Sequence, residues 1–311
     1  GTTTDFVLGG VLDAEKISGM EELLKFVFLL AFVGFGTKAA VFPMYAWLPA
    51  ASVAPTPVTA LLHAVAVVNA GAYAVLRVIY YSFGASFLYG TWAQTVALLL
   101  SCFTILFGST MAVREQHFKR RLAYSTISNL SYMLMGAALM TPDGMAGSLS
   151  HLVIHGVIKI TLFYCAGAIL IKTGKEYVQD LRGYSRIMPA TCGIFLLGSI
   201  ALVGTPPLAG FVSKWNLLTA ASATGLPMGT VAIVCLIISA ILTAIYLFTA
   251  ALPMYFRPLN ADQAQLAGQK LDPSWMMLLP MGILCALMIG LGLWSQPLVT
   301  FLRNISAGVI F

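Results

Sequence analysis

Charge is scarce in this sequence. Of its 311 residues only 9% are Asp, Glu, Lys or Arg, against about 25% in an ordinary soluble domain. With 59% hydrophobic residues and a mean hydropathy of +0.90, a soluble fold of this size has no way to hide its apolar surface. That excludes the soluble classes and leaves a polytopic membrane protein with the lipid bilayer as solvent. Carboxylates are scarcer still, and all eleven fall in loops or at helix ends. The five cysteines (Cys102, Cys165, Cys192, Cys235, Cys285) stand singly inside apolar runs. Without a CxxC pair or a loop cysteine, a disulfide framework, a metal site and an iron–sulfur cluster are not expected, and these side chains read as packing residues. A Rossmann or phosphate-binding glycine motif and a pair of haem-ligand signals are also missing. The expectation is no cofactor and no catalytic site in this chain.

What is present is a series of apolar runs. Eight can be drawn, at about 22–42, 57–81, 92–113, 120–141, 145–171, 188–222, 228–255 and 275–300, each with the length and composition of a candidate span. The sixth is too long for one straight helix and carries Gly204-Thr205-Pro206-Pro207 near its centre. Proline removes a backbone donor and clashes with the preceding turn, so a break is expected there. A second distortion is expected after Lys38, where Pro43 and Pro49 follow. Broken helices at membrane depth occur where the freed backbone lines a cavity or is covered by protein, and a lysine stands near each break: Lys38 and Lys214.

The connections near 82–91, 142–144 and 223–227 hold no Lys or Arg. The alternate ones hold Arg114, Lys119, Arg120 and Arg121, then Lys172, Lys175, Arg182 and Arg186, then Arg257 and Lys270. By the positive-inside rule the basic connections share the cytoplasmic (or equivalent) side. The opening segment, with Asp13, Glu15, Glu21 and Glu22, then lies outside. The net charge of +6 is thereby explained by topology, and a nucleic-acid partner is not expected. The resulting division is an external segment at 1–21, membrane regions at 22–141 and 142–222, and C-terminal helices at 223–311. The chain opens on Gly1 without a signal-peptide pattern, and the expectation is a fragment or a processed chain with functional residues upstream.

Within the apolar runs the ionisable side chains are Lys38, His63, His151, His155, Lys159 and Lys214, with Arg77 nearer an interface as an anchoring or snorkelling residue. His151, His155 and Lys159 recur every four residues. Four residues turn an α-helix by 400°, so each lies about 40° round from the last and the three form one stripe, roughly 12 Å long. Ionisable groups at membrane depth are costly and mark ion or proton paths. Histidine titrates near neutrality and passes protons between its two ring nitrogens, and burial makes a lysine's protonation depend on its neighbours. Lysines separated by histidines therefore suit a proton relay. Other readings stand beside it: His63 as a helix-packing hydrogen bonder, and Lys38 and Lys214 as ligands of carbonyls freed at the breaks. Metal binding by His151 and His155 has helical spacing but lacks a third ligand and sits beside Lys159. Ser125, Thr126, Ser128, Asn129 and Ser131 give the fourth run a hydroxyl-rich face, suited to interhelical bonding or to a water chain.

Six stretches carry a resemblance. They are Gly34-Phe-Gly-Thr-Lys38 through Pro43 and Trp47-Leu-Pro49; Ala54-Pro-Thr-Pro57 through His63; Lys119-Arg-Arg-Leu-Ala-Tyr124-Ser-Thr-Ile-Ser128; His151-x3-His155-x3-Lys159; Leu181-Arg-Gly-Tyr-Ser-Arg-Ile-Met-Pro189; and Gly204-Thr-Pro-Pro-Leu-Ala-Gly210-Phe-Val-Ser-Lys214. In this order, over residues from about 30 to 220, they resemble the antiporter-like membrane subunits of complex I (NADH-quinone oxidoreductase), Mrp cation/proton antiporters and membrane-bound hydrogenases.

The resemblance implies an all-α fold of about fourteen helices with inverted repeats, of which this chain would match the seventh helix onward. On it, 22–141 ends the first repeat and begins the second. Lys38 matches the central lysine of one broken helix, His63 a polar neighbour, His151, His155 and Lys159 the connecting relay, and Lys214 the terminal proton-exchange residue of the second broken helix. It further implies a proton-translocating subunit of a redox-driven pump, or alternatively a subunit of an Mrp-type sodium/proton antiporter or a non-conducting scaffold. Its partners would be other membrane subunits, with redox subunits elsewhere in the complex, in an energy-transducing membrane such as a bacterial or archaeal inner membrane. Where the family pairs the central lysine with a glutamate on an earlier helix, no carboxylate here substitutes. Asn69 stands where many relatives have lysine, and His117 where many have aspartate.

Overall fold

The computed structural model describes residues 9–12, 17–225, 227–260, 265–266 and 268–310; Asp13 and Glu15 of the acidic opening segment lie outside them. Thirteen α-helices are found among the described residues: α1 (Glu21–Gly36), α2 (Trp47–Ala51), α3 (Thr56–Ala64), α4 (Val67–Arg77), α5 (Ala85–Leu88), α6 (Trp92–Arg114), α7 (Phe118–Ala138), α8 (Pro142–Thr173), α9 (Pro189–Val203), α10 (Ala209–Ala223), α11 (Pro227–Phe256), α12 (Trp275–Leu293) and α13 (Gln296–Ile310). No strand forms among them beyond the isolated bridge His117–Tyr177. Among the described residues five stretches are long and apolar enough to cross a bilayer: Thr56–Phe83, Trp92–Arg114, Pro142–Thr173, Pro227–Phe256 and Trp275–Leu293. The other three expected runs are helical too, but α1 has 16 residues, α9 and α10 have 15 each, and α7 carries the hydroxyl-rich face.

α8 is the pillar of the bundle. Its start is written in the sequence: Thr141 Oγ1 accepts from the Gly144 N–H at 3.1 Å, Pro142 takes the first position, where its missing donor costs nothing, and Asp143 faces the positive end of the helix dipole. Its end is Gly174, at φ +66°. Between these caps, 72% of its apolar window is buried, against 11% for α12. α3, α7, α9, α10, α12 and α13 all pack on it. α7 lies between α6 and α8, and every residue from Ser125 to Ala138 is buried.

Three breaks shape the bundle. The two expected ones occur: α1 stops at Gly36 and the chain turns through 37–46, while α9 and α10 are separated at 204–208. The third was not expected. The run at 57–81 is interrupted at Val65 and Ala66, dividing α3 from α4, and ends in a π-helical turn over Val78–Phe83. At the interruption Ala66 N–H bonds Leu61 O (2.9 Å) and the Asn69 amide takes Ala64 O (2.9 Å), so a side chain competes for a carbonyl that a continuous helix would have used. The run at 275–300 is also corrected. α12 ends at Leu293, because Pro297 has no N–H to give to the preceding turn, and α13 folds back along α8, where Arg303 meets Asp143 at 3.3 Å.

Across the 204–208 break, α9 and α10 approach so closely that a Cβ on Gly210 would lie 1.8 Å from Ala201 O. Gly210→Ala is therefore expected to push α10 off α9 and destabilise the chain by about 1–3 kcal/mol, read as earlier thermal unfolding in mild detergent. Gly193→Ala, where the nearest atom is 3.9 Å away, should leave the transition where it is.

Candidate functional site

α8 delivers His151, His155 and Lys159 as the stripe its spacing requires, and the fold buries all three, at 2%, 0% and 0% exposed. Lys159 Nζ donates to Leu122 O at 2.9 Å and to Ser125 Oγ, both on α7. The imidazoles of His155 and His151 stack at 5.8 Å. His151 Nδ1 lies 2.9 Å from Ser213 Oγ on α10, and the Ser213 hydroxyl donates to Gly210 O at 3.2 Å. That arrangement fits a proton on Nδ1, leaving the Nε2 lone pair without a partner. Tyr132 of α7 stands edge-on to His151 at 5.4 Å, and Lys214 Nζ lies 5.4 Å from the centre of the same Tyr132 ring.

Lys214 belongs to the second break. Its ammonium donates to Leu202 O (2.8 Å) and Val203 O (3.0 Å), the carbonyls left at the end of α9. The capping role considered for this lysine is thus realised, beside Pro206 and Pro207 of the same break, and it places the charge next to Tyr132. His63, at 0% exposed, comes from α3 and stacks on Phe163 of α8 at 4.9 Å. It lies within electrostatic reach of Lys159 and His155, and His155 within reach of His151 and Lys214. The structure therefore brings five of the six expected residues into one buried row.

Lys38 is not in that row. Its side chain is exposed, in the turn after α1 that also holds Pro43. Its main chain is pressed against α4, where a Cβ on Gly71 would come within 2.7 Å of Lys38 Cβ. Thr37 O beside it accepts from the Ala40 N–H at 3.0 Å and from the Trp47 indole N–H at 2.8 Å, not from the lysine. Arg77 stacks its guanidinium over Tyr73 and Tyr81, at 5.9 and 5.5 Å, as an anchoring residue would.

Among the described residues the ion pairs Lys25–Glu22, His117–Glu176 and Arg303–Asp143 all lie outside the row. Both nitrogens of His63 and of His155, and Nε2 of His151, are buried without a protein partner. A buried imidazole with both nitrogens unbonded is unusual, because polar groups removed from water normally find partners.

Sequence reading missed a second set of groups. Ser109 (α6), Ser128 (α7) and Ser239 (α11) form a triangle of hydroxyls with sides of 2.7, 2.6 and 3.1 Å, and Tyr132 OH donates to Ser239 Oγ at 2.7 Å. One turn further along α11, Tyr246 OH reaches Thr243 Oγ1 at 3.4 Å and lies within range of Ser125, the hydroxyl that meets Lys159. The hydroxyl face expected on α7 is thus both helix–helix glue and one side of a polar seam. Ser239, Thr243 and Tyr246 recur at i, i+4 and i+7 in an otherwise apolar helix, and that spacing would have found them.

Residues 6–243 match the family model described as NADH:quinone oxidoreductase/Mrp antiporter, transmembrane. NADH-quinone oxidoreductase subunit N of Desulforudis audaxviator is 32% identical over 289 residues, covering 89% of this chain and 56% of that subunit. Two solved structures share the fold at 24% identity. One is the Mrp complex from Dietzia sp., with a TM-score of 0.80 over 91% of this chain and 59% of its own. The other is the membrane-bound sulfane sulfur reductase, an archaeal respiratory membrane complex, at 0.82 over 93% and 57%. The chain spans little more than half the length of these relatives. An all-helical bundle with broken helices, a buried lysine–histidine row and a match over more than two hundred residues lead to one conclusion: this chain belongs to the NADH:quinone oxidoreductase/Mrp antiporter family of transmembrane proteins.

Proposed function

We propose that the chain is a proton-translocating subunit of a multisubunit redox-driven pump, and that protons move along Lys159, His155, His151 and Lys214, with His63 as a side branch. The observation that carries this reading is the run of buried imidazole nitrogens without protein partners between two buried lysines. Neither nitrogen of His155 nor Nε2 of His151 has a direct hydrogen bond to a protein group, so transfer between the rings runs through a bridging water or a ring rotation. The hydroxyl seam supplies a parallel branch from Lys159 through Ser125, Tyr246 and Thr243 to Tyr132, beside Lys214. A hydroxyl both donates and accepts, so such a chain passes a proton by reorientation. Its oxygens lie at hydrogen-bond distances from one another, which favours protons over a cation held between them.

Moving one charge across 100 mV takes about 2.3 kcal/mol, and we place the source of that energy in redox subunits elsewhere in the complex. Lys38, on an exposed face, is assigned to the junction with other membrane helices, and α7 to the boundary between two antiporter-like repeats. The fold shared with the Mrp complex favours a second reading, in which an opposing sodium gradient drives the same residues.

Lys159→Ala in the intact complex, reconstituted in vesicles, is expected to slow proton translocation by about tenfold, a barrier increase of roughly 1.4 kcal/mol. Unchanged proton yield and rate would reject the relay, and proton flux driven by an imposed sodium gradient alone would select the second reading. Tyr132→Phe keeps the ring between Lys214 and His151 but deletes the hydroxyl. A lower proton yield per turnover with normal assembly is expected if the seam conducts; an unchanged yield would confine conduction to the histidines.

A further inference from the structure

Two of the basic connections meet the end of α11 around one cavity that the relay does not use. It holds about 250 Å³ and is lined by Gln116, Arg121, Gln179, Arg182, Thr249 and Pro253, among others. Its walls are tied by the main chain. Val178 N–H bonds Gln116 O (3.0 Å), Phe118 N–H bonds Glu176 O (2.7 Å), and Gly183 N–H bonds Pro253 O (3.0 Å). At its base Arg121, 3% exposed, is held in place: Nε donates to Glu115 O (2.8 Å), and Nη1 to Tyr246 O and Thr249 Oγ1 (2.9 Å each). Nη2 makes no bond among the described residues and is left to the cavity that Arg121 lines.

Thr249 and Pro253 are shared with a larger, open groove of about 560 Å³ that runs along α11 past Ile245, Phe248, Leu252 and Phe256 to Arg257. The groove is apolar and lies on an α11 face whose Ile245, Leu252 and Phe256 are exposed. A polar, cationic cavity opening into an apolar groove at the basic side of a membrane protein has the shape and charge of an amphiphile. Glu115, Glu176 and Asp180 stand in the same connections, but Glu115 is engaged by the His117 N–H at 2.9 Å and Glu176 lies 3.4 Å from His117 Nε2, and Arg114, Arg120, Arg121, Arg182 and Arg257 outnumber them.

We propose that this cavity and groove form a binding site for one anionic phospholipid, its phosphate on Arg121 and Arg182 and an acyl chain along Ile245, Phe248 and Leu252. Basic pockets between helices on the cytoplasmic side are the expected place for anionic headgroups, and each nearby Lys or Arg contributes about 1 kcal/mol.

The test uses the full chain with its native neighbouring subunits, delipidated in detergent and exchanged into phosphatidylcholine nanodiscs with or without phosphatidylglycerol. Native mass spectrometry should find one phosphatidylglycerol retained per chain in preference to phosphatidylcholine. Arg182 is exposed, so Arg182→Gln leaves the fold intact and is expected to weaken retention by about fivefold, the equivalent of roughly 1 kcal/mol. Equal retention by the variant would overturn the site. So would displacement by inorganic phosphate at matched concentration, which would make it a free-anion site. Photo-crosslinking from Phe256 to a protein subunit instead of lipid would give the groove to a partner and overturn it as well.

Discussion

A polar group placed at bilayer depth has to find its partner inside the protein, and α8 with its neighbours is arranged around that requirement. Lys159 is the hardest case, a fully buried lysine with no carboxylate partner among the described residues. It is accommodated by a carbonyl and a hydroxyl of α7, which fixes how α7 and α8 must lie against each other. Lys214 solves the same problem at the break between α9 and α10. There two carbonyls have lost their helical donors, and the lysine supplies the missing N–H groups. A broken helix needs a donor and a buried lysine needs acceptors, so each defect satisfies the other. Helix break and buried charge are therefore one structural unit.

The first break handles its freed backbone differently, and the contrast is informative. Thr37 O is capped by the Ala40 N–H and the Trp47 indole, neutral donors. Lys38 is thereby released from structural duty and points to the exposed face. Where Lys214 would leave carbonyls unsatisfied if replaced, the Lys38 side chain makes no hydrogen bond or ion pair among the described residues, its N–H alone bonding Phe35 O. On the proposed reading, one lysine is fixed inside the relay and the other is free to meet groups outside this chain.

Much of this was legible from residue spacing. The stripe on α8, the break at Pro206 and Pro207, and the distortion after Lys38 follow from helical periodicity and proline chemistry, and all three stand in the structure. The α3–α4 interruption was not legible, because Ala64-Val65-Ala66 contains no glycine or proline and its cause is Asn69 reaching back to a carbonyl. The end of α12 was legible in Pro297 but was masked by the hydrophobicity of the residues around it. Exposure of Lys38 could not be read at all, since apolar flanks predict burial in the membrane and do not distinguish protein from lipid on the far side. The hydroxyl seam was half seen: α7 announces its own serines and the i, i+4, i+7 spacing on α11 offered a second face, while that Ser109 of α6 joins them is given only by the contact itself.

The row's spacing also bears on how many charges it can hold. Two helical steps of four residues, plus the ring of Tyr132, keep the two ammoniums roughly 12 Å or more apart. At an effective dielectric near 20 they would repel by on the order of 1 kcal/mol, close to a tenfold preference for one charge over two. A shorter row would forbid double occupancy, and a longer one would let the ends ignore each other. Of the two imidazoles between them, His151 is fixed by its Nδ1 bond to Ser213 and by Tyr132, and His155 by stacking on His151. Their orientation is thus set, while Nε2 of His151 and both nitrogens of His155 are left without a protein partner. On the proposed reading, rings packed in place with nitrogens free of protein partners are what a chain of proton transfers requires.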